Sequence, residues 1–122
     1  MGMLILSLFV RTLWFLLVAH VLCDIQLQGD LSRMKNHTLN PRSAGGFPWQ
    51  IALLAHGAIH GTAVYLITGS FALCLTETFA HALIDYLKNC GKFSIKVDQI
   101  MHALLKVLYA ATVASLAYIA VG

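Results

Sequence analysis

Four long apolar runs, each broken by a few polar residues at helical spacing, set the pattern of this chain. A bilayer core of about 30 Å takes roughly 20 helical residues per crossing. Segments 3–28, 49–69, 71–89 and 97–121 satisfy that length. None alternates polar and apolar positions as a β-barrel span does. Pro48 precedes the second run, where it suits a first helical turn, and Gly91 follows the third as a natural stop. Only Gly69-Ser70 separates runs two and three. Residues 29–48 form a longer loop with Asn40-Pro41, Gly45-Gly46 and Phe47-Pro48 as breakers. The pattern predicts an all-α fold: a four-transmembrane-helix bundle of two tandem helical hairpins, in one integral membrane domain covering residues 1–122.

Composition agrees. The chain is 59% hydrophobic and 11% charged, against about half apolar and a quarter charged in ordinary globular domains. Its mean hydropathy is +0.78. The first run has no basic residue before it, Arg11 interrupts it and no clean small-x-small site follows, so it reads as a retained span. Cys23, Cys74 and Cys90 are scattered without a CxxC pair and read as apolar packers. Arg33, Lys35 and Arg42 fall in the first loop, and Lys88, Lys92 and Lys96 flank the connection after the third run. With four spans those connections share one side. The positive-inside rule makes it cytoplasmic and leaves both termini external.

The polar residues inside the runs are ordered. "AHVLCDI" at 19–25 and "AHALIDY" at 80–86 share a His-x-Leu-x-Asp core, 61 residues apart. His20 and Asp24, His56 and His60, His81 and Asp85, and Asp98 and His102 are each four residues apart, hence on one helix face. Every run thus contributes one pair, and all four pairs fall at similar depth near the predicted cytoplasmic side. One such pair reads first as an interhelical hydrogen bond. Four at matched depth point to metal ligation, because His and Asp are both good ligands for zinc, manganese or iron. Five imidazoles and three carboxylates supply two ions with four protein ligands each. The expected cofactor is therefore two divalent ions, zinc first, with manganese or iron also compatible.

Other polar positions fit around these pairs. Glu77 lies one turn deeper than His81 and Lys106 one turn deeper than His102, so they are expected to form an ion pair beneath the site. Gln28 and Gln99 adjoin the stripes as candidate supporting donors, and Lys35 and Lys88 lie at the mouth, where an anionic substrate would enter. Gly57 and Gly61 form a small-xxx-small face for close helix packing. His37, in the loop, is expected to be solvated.

"AHVLCDIQLQ" followed by a basic loop, then "HGAIH", "HALIDYLK" and "VDQIMH", resembles the domain-of-unknown-function 3307 family. These are small polytopic membrane proteins of bacteria and their phages. The resemblance runs from about residue 15 to 105 and its motifs are the same eight residues. Family members commonly carry Phe where this chain has Ile25. The resemblance implies a bacterial or phage protein of the inner membrane and supplies no activity. More loosely, the His-x3-Asp pairs are similar to those of the zinc-dependent phospholipase C and nuclease group.

The residues themselves point to a metal-dependent hydrolase of a lipid or lipid-linked phosphoester, with a membrane lipid as partner and no nucleic acid. Two metals activate a bridging water and clamp both oxygens of a displacement. Asp24, Asp85 and Asp98 are the catalytic candidates, bridging metals or orienting the nucleophile. The alternatives are a divalent-cation or proton carrier, a histidine-rich di-iron oxidase, and a phage membrane effector with a structural metal. A carrier needs polar residues continuing to the far face, whereas spans two and four are apolar beyond Glu77 and Lys106. An oxidase commonly uses glutamate ligands, and Glu77 is the only glutamate in the chain.

Overall fold

The computed structural model describes residues 1–26, 31–40 and 48–122. The fold is all-α, with no strand among the described residues. Helix α1 spans Gly2–Val21 and continues into a π-helical turn, Leu22–Gln26. A short α2 covers Leu31–Met34, followed by α3 (Trp49–Thr68), α4 (Phe71–Asn89) and α5 (Ile95–Val121). Gly2–Ile25, Trp49–Thr68 and Ile95–Val121 are long and apolar enough to cross a membrane. Helix α4 falls outside that set because its 19 residues carry Glu77, His81, Asp85 and Lys88.

The residue distribution is inverted relative to a water-soluble domain. Met3 is 86% exposed, and Leu4, Leu66 and Ile119 also face outward. The largest fully buried side chains include Lys106, His56, His60, His81, His102, Glu77, Asp85 and Asp98. Apolar surface on this scale requires a lipid solvent, and charge inside spans faces the interior of a bundle. The chain is a membrane protein.

Local chemistry marks several helix ends. Pro48, in extended conformation, precedes α3. At the other end Gly69 adopts φ 70°, and its N–H bonds the Tyr65 carbonyl at 2.7 Å. Only glycine takes that conformation without a Cβ penalty. Thr68 Oγ1 accepts from the Ser70 N–H at 3.2 Å, and Ser70 Oγ caps α4 by accepting from the Leu73 N–H at 3.2 Å. Ser94 caps α5 by accepting from the Val97 N–H at 3.3 Å.

Packing departs from two sequential hairpins. Helix α3 packs most extensively on α4, and α1 on α5, while the α1–α3 and α4–α5 contacts are slimmer. The molecule is one close hairpin, α3–α4, with α1 and α5 paired beside it. Glycine explains the close hairpin. A Cβ on Gly57 would strike the Thr78 carbonyl oxygen, and one on Gly61 would lie 2.6 Å from the Cys74 carbonyl oxygen. The link between α1 and α3 is instead long and contains α2, so chain connectivity does not force those helices into intimate contact. Leu16, Val64, Tyr109 and Ala110 form the apolar core.

Candidate metal centre

Each long helix delivers its i,i+4 pair to a single interior cluster, with His56, His81, Asp98 and His102 fully buried and His20, His60 and Asp85 nearly so. The first group centres on Asp24. Its Oδ1 lies 3.1 Å from His60 Nε2, 3.3 Å from His56 Nε2 and 3.6 Å from His81 Nε2. Its Oδ2 lies 3.4 Å from His20 Nε2. Asp24 is carried by the π-helical turn, a local widening that re-aims a side chain relative to ordinary α-helical register. The second group is Asp85, Asp98 and His102. Here His102 Nε2 lies 3.4 Å from Asp85 Oδ1 and 3.5 Å from Asp98 Oδ1. Asp85 also reaches the first group, with Oδ2 3.4 Å from His56 Nε2.

Three of the imidazoles stack, with His20 tilted and His56 edge-on against them. His81 lies between His60 and His102, with ring centroids 3.6 Å and 4.1 Å away, and His20 is 4.9 Å from His102. His81 Nδ1 donates to Glu77 Oε1 at 3.2 Å. Because an ionised carboxylate only accepts, in a neutral His81 this bond places the proton on Nδ1 and leaves the lone pair on Nε2. That lone pair faces His56 Nε2 at 3.1 Å. A carboxylate holding the remote nitrogen of a histidine is the usual support for a metal-ligating imidazole. Donor atoms of Asp24, His56, His60 and His81 lie within 4.8 Å of one another, as do those of Asp85, Asp98 and His102, and those of His20, Glu77, His81 and His102. These clusters have the donor chemistry and spacing to hold metal ions.

The surrounding polar residues are engaged. Gln99 Nε2 donates to Asp98 Oδ2 at 2.9 Å and Asp24 Oδ2 at 3.2 Å, while its Oε1 is 3.3 Å from His20 Nε2. It therefore ties α5 to α1. The expected Glu77–Lys106 ion pair is present, between buried groups. Lys88 Nζ lies 3.5 Å from Asp98 Oδ2 and 3.7 Å from Asp85 Oδ1. Gln28 lies outside the described residues.

Two placements differ from the sequence reading. Lys35, expected at an open mouth, is only 5% exposed and bonds Asp85 Oδ2. It follows α2, whose helical turn carries the chain back to the cluster, and no sequence spacing relates it to Asp85. His37 is not simply solvated either. Its ring packs 5.3 Å from both Trp49 and Tyr86, with Nε2 3.9 Å from Cys90 Sγ. Aromatic residues there give the loop a packing surface that hydropathy did not reveal.

A family model described as "Protein of unknown function (DUF3307)" matches residues 12–121. The chain belongs to that family. No curated protein and no solved structure matches it.

Proposed function

We propose that this member of the DUF3307 family is a membrane-embedded dinuclear metal protein that hydrolyses a lipid or lipid-linked phosphoester. The observation that carries the reading is the convergence of three imidazole Nε2 atoms on one oxygen of Asp24 within 3.6 Å. Imidazole lone pairs and a carboxylate oxygen brought together in a buried space repel one another unless a proton or a cation lies among them. Asp24, His56, His60 and His81 would hold the first ion. Asp85, Asp98 and His102 would hold the second, while His20, the eighth candidate, lies beside Asp24 Oδ2 at 3.4 Å. Zinc fits both donor sets, and manganese or iron are compatible with them. Bound ions would supply an activated water and neutralise charge on a phosphoryl oxygen.

The apolar core argues against a carrier. Beyond Glu77 and Lys106 the interior continues as Leu16, Val64, Tyr109 and Ala110, flanked by Phe9, Leu13 and Ile67. In this reading α4 crosses with the other three helices, its polar side chains screened inside a four-span bundle. The cluster then lies near the cytoplasmic face of a bacterial inner membrane, on the side of Lys88, Lys92 and Lys96, with both termini external. A topology reporter fused after Gly122 should score as external. A cytoplasmic score would invert the bundle.

The hydrolase reading is tested with purified protein in nanodiscs, loaded with zinc or manganese and given a chromogenic phosphodiester and a lipid phosphoester. Metal-dependent turnover is expected, falling to background in Asp24→Asn. Metal-loaded protein that turns over neither compound would overturn the hydrolase reading and leave a structural metal centre.

A further inference from the structure

A glutamine side chain has two N–H donors and one carbonyl to place, and the cluster occupies both ends of Gln99. Its Nε2 donates to Asp98 Oδ2 at 2.9 Å and to Asp24 Oδ2 at 3.2 Å. Its Oε1 lies 3.3 Å from His20 Nε2. The reverse amide orientation would set Oε1 against two carboxylate oxygens with no proton between them, so the chemistry admits only this one. In a neutral His20 the proton then sits on Nε2, which also faces Asp24 Oδ2 at 3.4 Å.

The two carboxylates that Gln99 holds belong to different candidate sites. Asp24 groups with His56, His60 and His81, and Asp98 groups with Asp85 and His102. In both, Gln99 takes Oδ2 while Oδ1 faces the imidazoles of its own set. Asp24 Oδ1 is 3.1 Å from His60 Nε2, and Asp98 Oδ1 is 3.5 Å from His102 Nε2. Asp98 Oδ1 and His102 Nε2 are both buried, with no hydrogen-bond partner among the described residues. Gln99 itself is exposed, so it adds little to the packed interior.

We propose that Gln99 is a positioning residue shared by the two metal sites, one carboxamide setting the rotation of Asp24 and Asp98 so that each presents Oδ1 to its ion. The inference rests on the dinuclear reading above and names the residue that keeps its two halves in register. The terminal torsion of an aspartate is broad rather than confined to narrow wells. Holding Oδ2 therefore decides which oxygen an ion meets, and how squarely. Gln99 belongs to neither ligand set, yet its loss should be felt at both. Lys88, by contrast, reaches carboxylates of the second set, at Asp98 Oδ2 and Asp85 Oδ1.

The test is titration of metal-stripped protein in nanodiscs with manganese, followed by electron paramagnetic resonance, for the wild type, Gln99→Met and His60→Ala. Methionine keeps the unbranched shape of glutamine and removes its donors. The wild type should bind two ions. Gln99→Met should bind both about 10- to 100-fold more weakly, the range for loss of a residue supporting a ligand. Its spectrum at saturating manganese should differ from that of the wild type, because carboxylates free to turn change the ligand geometry. His60→Ala should weaken the first ion alone, which shows that the titration separates the sites. Gln99→Met that weakens only one ion would overturn the shared role. Wild-type affinities and spectrum in Gln99→Met would overturn the positioning role altogether, and a lowered melting temperature beside them would make Gln99 a fastener between helices. A wild type that binds no manganese would instead overturn the dinuclear reading, and this inference with it.

Discussion

Protein purified from membranes should carry about two equivalents of zinc, manganese or iron and should lose much of its stability with them. Four residues line one candidate site and three the other, a three-residue set leaving room for a water ligand, and the free energy of binding is coupled to folding because the sites require four helices to meet. His56→Ala and His81→Ala remove imidazoles whose Nε2 atoms face each other at 3.1 Å. Each should lower metal content and melting temperature. His37→Ala leaves metal content unchanged, because that ring packs against Trp49 and Tyr86 outside the cluster. A chelator should destabilise the wild type and have no effect on a variant already free of metal. Wild-type protein that emerges metal-free and indifferent to chelator would reduce the stripes to interhelical hydrogen bonds and leave the hydrolase proposal without a nucleophile.

The second large effect is expected beneath the centre. Glu77 pairs with Lys106 in the interior, and its Oε1 also accepts from His81 Nδ1. Glu77→Gln leaves a buried ammonium without its counter-charge, and Lys106→Met leaves the carboxylate so. Either should cost roughly 3–5 kcal/mol. The double variant Glu77→Gln, Lys106→Met removes both charges and should melt higher than either single variant. Strictly additive losses in the thermal melts would count against the pair. The two single variants should differ in metal content, because only Glu77 fixes the His81 tautomer. Glu77→Gln should weaken the first ion by about 10- to 100-fold, the range for loss of a residue supporting a ligand.

The residues that could be read from the sequence are those whose partners lie one turn away on the same helix. His20 with Asp24 and His81 with Asp85 declare a shared face through spacing alone. The matching depths of Glu77 and Lys106 follow from equal offsets on two helices. Gln99 was legible as a neighbour of Asp98, although its link to Asp24 crosses helices. Lys35 was not legible as a partner of Asp85, since 50 residues and a loop separate them. Helix pairing was hidden for a related reason. Hydropathy locates spans without choosing neighbours, so connectivity alone pairs α1 with α3, whereas its larger contact is with α5. The π-helical turn at Leu22–Gln26 leaves the i,i+4 spacing of His20 and Asp24 unchanged and is silent in the sequence.

The contact of Gly57 and Gly61 with α4 bears on how quickly anything can enter or leave the centre. Backbone approach at those glycines leaves no room for a Cβ, so α3 and α4 cannot part without losing the packing that holds them together. His56, His60 and His81 are mounted on that pair, and their mutual spacing inherits its stiffness. The slimmer seams that α1 makes with α3 and α5 with α4 are the weaker boundaries. Exchange of a bound ion should therefore be limited by the lifetime of those seams, and stiffening the α3–α4 hairpin further should leave the exchange half-time unchanged.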